Sequence, residues 1–186
     1  YNNERTLVNL VNAVLHHCKD VIVVNDGSTD ATSALLQETK GIHLIEYSPN
    51  KGKGFALRKG FKKAEELGFD FAVTIDSDGQ HRPENIASLV SVLKDGEDVV
   101  LMGNRNMDRV GIPKKSSFGN KFSSFWFWAE TGIKLADTQT GFRAYPVKRV
   151  NAKRWFTNRF EFEIEVIVRL AWDLIPFKEV SVDVIY

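Results

Sequence analysis

Phe71-Ala72-Val73-Thr74-Ile75-Asp76-Ser77-Asp78-Gly79-Gln80-His81 decides the reading of this chain. An apolar, β-branched run goes straight into two carboxylates, a glycine and a polar pair. Such a run, bounded by turn residues, predicts a buried strand, here from Phe69 to Ile75. The acidic loop then sits at the strand's carboxyl end. Pro83 suits the first turn of a helix reaching about Lys94.

Outward from this stretch the same pattern repeats. On the amino side, a helix is predicted from Glu4 to His17, a strand over Val21 to Asn25, and a helix over Ala31 to Thr39. A second strand follows over Ile42 to Tyr47, then a helix over Phe55 to Leu67. On the carboxyl side, a strand is predicted over Asp98 to Met102. Alternating strands and helices with short connections imply an α/β fold, a mainly parallel central sheet with helices on both faces. The rhythm breaks over residues 104 to 145, then resumes as a helix from Glu161 to Leu174 and a strand from Glu179 to Ile185. With 186 residues, 43% hydrophobic and 26% charged, the chain suits one domain with its own core.

Lys+Arg total 25 against 24 Asp+Glu, a net charge of +1, which argues against nucleic acid as a partner. The single cysteine, Cys18, excludes an internal disulfide and a cysteine-rich zinc site. No run reaches the roughly 18 apolar residues of a membrane span, and no signal peptide is evident. Tyr1-Asn2-Asn3-Glu4 lacks a Met and a preceding strand, so the chain reads as a trimmed piece. The aromatic stretch Phe118 to Ala129 reads first as burial in the domain and second as a surface lying on a membrane.

In an open α/β sheet, ligands bind beyond the carboxyl ends of the strands. Three polar loops fall there: Asp26-Gly27-Ser28-Thr29-Asp30, Asn50-Lys51-Gly52-Lys53-Gly54, and Asp76 to Gln80. Asp76 and Asp78, two apart in extended chain, face the same way and could share one cation. Their hard oxygens suit Mg2+ or Mn2+, with Gln80 as a further ligand. A plainer reading is an Asx turn before the Pro83 helix. Gly27 permits close approach of a ligand, and Asp26 can accept from a base or ribose. The lysines and backbone of 50–54 offer an anion site without the P-loop spacing. Asp137-Thr138-Gln139-Thr140-Gly141-Phe142-Arg143 gathers a carboxylate, hydroxyls and an arginine. Arg105 follows the fourth strand and points toward the same edge. Arg109, Lys114 and Lys115 read equally well as a solvated loop.

These loops, in this order, resemble family 2 glycosyltransferases of the GT-A fold, closest to the dolichyl-phosphate mannose synthase-like or polyprenyl-phosphate glycosyltransferase group. The resemblance extends through Arg159-Phe160-Glu161-Phe162-Glu163-Ile164-Glu165 to the final strand, so residues 1–186 are expected to form one catalytic domain without the family's first strand. It implies an inverting transfer from a nucleotide-diphosphate sugar donor, with a divalent cation. It places Tyr1, Asn3, Glu4, Asp26, Gly27, Lys53 and Asp76 at the donor, and Asp76, Asp78 and Gln80 at the metal. Asp137 and Asp78 are implied as catalytic, with Asp137 the candidate base. Arg105, Arg143 and Thr140 are implied at an acceptor phosphate, a polyprenyl phosphate. The expected place is the cytoplasm, or the cytoplasmic face of a membrane. Two alternatives compete: a glycosyltransferase acting on a glycan hydroxyl, and a GT-A module that binds sugar nucleotides without catalysis. Asn151 to Trp155 only imitates the Q-x-x-R-W of a processive synthase.

Overall fold

The computed structural model describes residues 1–94, 96–105 and 114–184, with side chains from 119 onward in the last stretch. Its elements are α1 (Leu7–Leu15), β1 (Val21–Asp26), α2 (Thr32–Glu38), β2 (Ile42–Tyr47), α3 (Lys53–Glu66), β3 (Phe71–Thr74) and α4 (Asn85–Val90). Then come β4 (Val100–Asn104), α5 (Lys114–Thr131), β5 (Arg143–Pro146), α6 (Val147–Asn151), α7 (Phe162–Trp172) and β6 (Phe177–Ser181). Arg109 and the side chains of Lys114, Lys115 and Phe118 lie outside the described residues.

β1 and β2 pair in parallel, from Val21 opposite Ile42 to Asp26 opposite Tyr47. The second sheet has the order β3-β5-β4-β6. β4 and β6 are parallel there, while β5 runs antiparallel to both β3 and β4. The sequence pattern gave no sign of β5. It is four residues long, buried throughout, and ends at Pro146, so it offers neither alternation nor length.

The core falls on both faces of this second sheet. On one side Phe61, Val100, Met102, Tyr145, Phe162 and Val166 pack together, bringing α3 and α7 onto the sheet. On the other, Val14, Leu89, Leu101, Phe142 and Ala144 join α1 and α4 to it. α3 shows why the sequence folds this way: Phe61 and Ala64 face inward, three residues apart, while lysines and glutamates occupy the turns between.

Two expectations are corrected. Residues 114 to 131, part of a region expected to be irregular, form the longest described helix. The aromatic stretch within it is not buried as a whole. Phe127 is buried, but Phe122, Phe125, Trp126 and Trp128 are exposed. The imitation of a processive motif is structural: the Trp155 indole N–H donates to the Val150 carbonyl at 3.0 Å, and Asn151 Nδ2 donates to the Phe61 carbonyl at 2.9 Å.

Candidate active site

The polar loops gather at the carboxyl ends of β1 and β3 and beside β5. At the end of β1, Asp26 is buried, and its two oxygens accept from the backbone N–H of Lys51 at 2.7 Å and Gly52 at 2.8 Å. Asp26 thus shapes the 50–54 loop and neutralises two N–H groups at the start of α3. Gly27 has φ +70°, and a Cβ there would stand 2.6 Å from the Asn50 amide nitrogen. Only glycine fits that left-handed position against the neighbouring backbone. A cleft of about 310 Å3 opens beside it, lined by Asn25, Gly27, Glu46 and Tyr47 among others. Burial pushes the Tyr47 phenol above its ordinary range, and the nearby Asp26 carboxylate adds to this.

β3 stops at Thr74, so Asp76 and Asp78 lie in a loop rather than in extended chain. The strand-face argument for their shared direction therefore does not apply. Asp78 is exposed and accepts from the Gln80 N–H at 2.9 Å, the Asx turn that the plainer reading foresaw. A turn of this kind still leaves a carboxylate at the rim. Asp76 meets Lys53, whose Nζ lies 2.6 Å from Asp76 Oδ1 and 2.8 Å from Glu163 Oε2. Burial alone would lower the Lys53 pKa. The two carboxylates outweigh it and hold the ammonium above the ordinary lysine range. Behind Asp76 lies Gly141, where a Cβ would come within 2.1 Å of Asp76 Oδ2. His81 is buried and stacked on Phe142 at 5.2 Å, and its desolvation lowers its pKa.

Asp137 is fully buried and bound bidentately by Arg105: Nε to Oδ2 at 2.6 Å and Nη2 to Oδ1 at 3.0 Å. The Gln139 N–H also donates to Oδ1 at 3.2 Å. Thr140 is buried, its hydroxyl accepting from the Phe142 N–H at 3.2 Å. Arg143 is 1% exposed. Its guanidinium donates to the carbonyls of Thr140 at 2.6 Å, Thr138 at 2.8 Å and Glu163 at 2.7 Å, and to the Tyr145 hydroxyl at 2.8 Å. The structure thus gives Arg143 to the loop itself, because burial forces its N–H groups onto protein oxygens.

At the amino end, Tyr1 is exposed. Asn3 donates to the Ser77 carbonyl, and its N–H donates to Thr32 Oγ1 at 2.9 Å. Glu4 Oε2 accepts from the Ala31 N–H at 3.0 Å, at the start of α2. Asn3 therefore reaches the Asp76–Asp78 loop, while Glu4 turns away toward α2. Sequence reading did not find the role of Glu163. It stands 110 positions from Lys53, and its only signal was its place in the stretch from Arg159 to Glu165.

Residues 1–152 match the model of the family described as Glycosyl transferase family 2. The chain belongs to glycosyl transferase family 2. A UDP-N-acetylglucosamine–dolichyl-phosphate N-acetylglucosaminyltransferase of Methanococcus voltae is 30% identical, aligned over 100% of this chain and 83% of its own length. A polyprenol monophosphomannose synthase of Mycolicibacterium smegmatis is 30% identical over 78% of this chain and 58% of its own. Among solved structures, glucosyl-3-phosphoglycerate synthase of Mycobacterium tuberculosis with UDP superposes with a TM-score of 0.72 at 20% identity, covering 100% of this chain and 69% of that one. The same enzyme with Mn2+, UDP-glucose and phosphoglyceric acid gives a TM-score of 0.69 at 21% identity, covering 97% and 67%. The glycosyltransferase fold expected from the sequence is the fold found.

Proposed function

We propose that this family 2 glycosyltransferase moves a sugar from a nucleotide diphosphate to a polyprenyl phosphate, with inversion at the anomeric carbon. One observation carries the acceptor class: Asp137 is buried with both oxygens held by Arg105. With both oxygens engaged by Arg105 and none exposed, Asp137 presents no open carboxylate oxygen to an incoming acceptor hydroxyl. The acceptor oxygen must then arrive ionised. A phosphate monoester does, with a second pKa of about 6; a glycan hydroxyl does not. The relatives named as a dolichyl-phosphate N-acetylglucosaminyltransferase and a polyprenol monophosphomannose synthase support this reading.

The donor set fits a divalent cation. Asp76, Asp78 and Gln80 offer hard oxygens at the rim. A divalent cation held there would take the rest of its oxygen ligands from water and the donor's diphosphate. When bound, Mg2+ or Mn2+ would supply charge stabilisation to the departing diphosphate. The bond from the anomeric carbon to the diphosphate oxygen breaks with its electron pair leaving on the diphosphate, and the acceptor phosphate oxygen forms the new bond. Asp26 and Gly27 shape the nucleotide cleft. Lys53 and Glu163 hold Asp76 in place, and Asp137 fixes the Arg105 guanidinium. Arg143 and Thr140 build the loop that carries Asp137, instead of contacting the acceptor.

The test compares polyprenyl phosphate with the matching polyprenol, using UDP- and GDP-sugars and Mn2+. Turnover is expected only with the phosphate. Asp78→Asn should lower it by about a hundredfold or more, several kcal/mol of lost charge stabilisation. Equal use of the polyprenol would sink the acceptor reading, and unchanged turnover in Asp78→Asn would remove the metal role.

A further inference from the structure

α5 has its polarity inverted. The residues that face the protein at helical spacing are Asn120, Ser124, Phe127 and Thr131, three of them polar. Asn120 Nδ2 donates to the Ala136 carbonyl at 2.7 Å, and Ser124 Oγ lies 3.2 Å from Thr138 Oγ1. The outward face carries the apolar mass: Phe122, Phe125, Trp126 and Trp128 are 59%, 53%, 51% and 42% exposed. Their rings pack on one another, Phe122–Trp126 at 6.2 Å, Phe125–Trp126 at 5.7 Å and Phe125–Trp128 at 5.9 Å. Trp172 extends the patch, since its indole N–H donates to the Glu130 carbonyl at 3.2 Å and its ring is exposed. A helix in water puts its apolar stripe inward. A contiguous aromatic patch turned outward marks a binding surface.

We propose that the outward face of α5 docks on an anionic lipid bilayer and so sets the height of the Asp137 loop over the headgroup layer. This rests on the lipid-phosphate acceptor reading above. Three observations favour lipid over a second copy of the chain or another protein. The face is built from Trp and Phe, with no Leu, Ile or Val in the whole helix; Trp rings settle at the headgroup level, and helices lying in the interface bury Trp and Phe together. α5 carries three lysines against one glutamate, and Lys134 Nζ lies 5.9 Å from the Trp128 ring, a charge balance complementary to anionic headgroups. No described helix is long and apolar enough to cross a membrane, so α5 would lie in the plane. The polar inward side then gains a purpose. Asn120 and Ser124 grip residues 136 and 138, flanking Asp137, so a helix seated in the interface carries the Asp137–Arg105 pair with it.

The experiment pellets the whole chain with vesicles of phosphatidylcholine, with and without a third phosphatidylglycerol, and follows tryptophan emission. The chain should pellet with the anionic vesicles and shift its emission to the blue. Phe122→Ser, Phe125→Ser and Trp126→Ser combined should weaken this by about tenfold or more. Transfer to vesicle-borne polyprenyl phosphate should fall likewise, while transfer to a water-soluble short-chain prenyl phosphate stays at the unsubstituted level. Failure of the unsubstituted chain to pellet overturns the proposal, as does equal pelleting of the triple variant. Loss of transfer to both acceptors overturns it too, since α5 would then only support the fold. A dimer dissolved by the triple substitution, without vesicle binding, assigns the face to a second copy instead. If α5-dependent pelleting persists but neither phosphate is used, docking stands and the acceptor reading falls.

Discussion

At the scale of single residues, the site depends on a missing side chain. Gly141 leaves room for the Asp76 carboxylate, and a Cβ there would stand 2.1 Å from Oδ2 and 2.6 Å from Cγ. The obstructed atoms are the end of a side chain, which can swing away at little cost. Gly141→Ala is therefore expected to leave the melting temperature within a few degrees but to lower transfer by about tenfold or more, as a misplaced charge does. A large loss of stability with unchanged turnover would contradict this placement. Arg143 makes the opposite case. Lysine has one nitrogen and cannot span the carbonyls of Thr138, Thr140 and Glu163, so Arg143→Lys should lower stability by about 3 kcal/mol, read from the urea midpoint. The sequence revealed Asp26, Asp76 and Asp78 because their loops directly follow apolar runs. It could not reveal that Arg143 is buried, because a guanidinium that serves a loop and one that serves a ligand read alike. Lys53 and Glu163 meet only through the packing of α3 on α7, which no local pattern encodes.

At the scale of elements, β1 was legible almost to the residue because its apolar run Val21 to Val24 is unbroken, and β2 because its β-branched and aromatic residues lie between turn signals. α5 was not, because its aromatic face points away from the core and inverts the pattern that marks a helix. α7 was legible, and it carries a tie with a pH signature. Glu165 accepts from the Thr157 hydroxyl, from the Thr157 N–H at 2.9 Å and from the Phe156 N–H at 3.0 Å, and pairs with Arg169 at 3.0 Å. Burial would raise its pKa, but these bonds outweigh burial and hold it below the ordinary glutamate value of 4.5. A folded value below the unfolded one means the stabilisation is fully present above about 4.5 and is lost as pH falls through the folded value. Glu165→Gln should thus be less stable than the parent chain near neutrality and lose less on acidification. Urea midpoints between pH 3 and 7 measure this; parallel profiles would show that the tie contributes nothing.

At the scale of the whole molecule, the site is divided between two sheets. Asp26 ends β1 in the two-stranded sheet, while Asp76 follows β3 in the four-stranded one. The segment from Lys51 to Lys53 joins them: its N–H groups rest on Asp26, and the Lys53 ammonium reaches Asp76 and Glu163. The Phe55 N–H donates to the Asn158 carbonyl at 3.0 Å, tying the same segment to the approach of α7. A nucleotide diphosphate lying from the Asp26 cleft to the Asp76–Asp78 loop would bridge both sheets and stabilise their common fold by mass action. At a hundredfold excess over Kd this amounts to about 2.7 kcal/mol, a rise of about 5–10 °C for a chain of this length. UDP or GDP with Mn2+ should produce that rise, with the larger shift naming the preferred base. Nucleotide alone should produce less, and a chelator should reverse the difference. In Asp78→Asn the Mn2+-dependent part should vanish while the nucleotide-only shift remains, because the Asp26 cleft is untouched. A full shift without metal would mean that the carboxylates beyond β3 take no part in holding the donor.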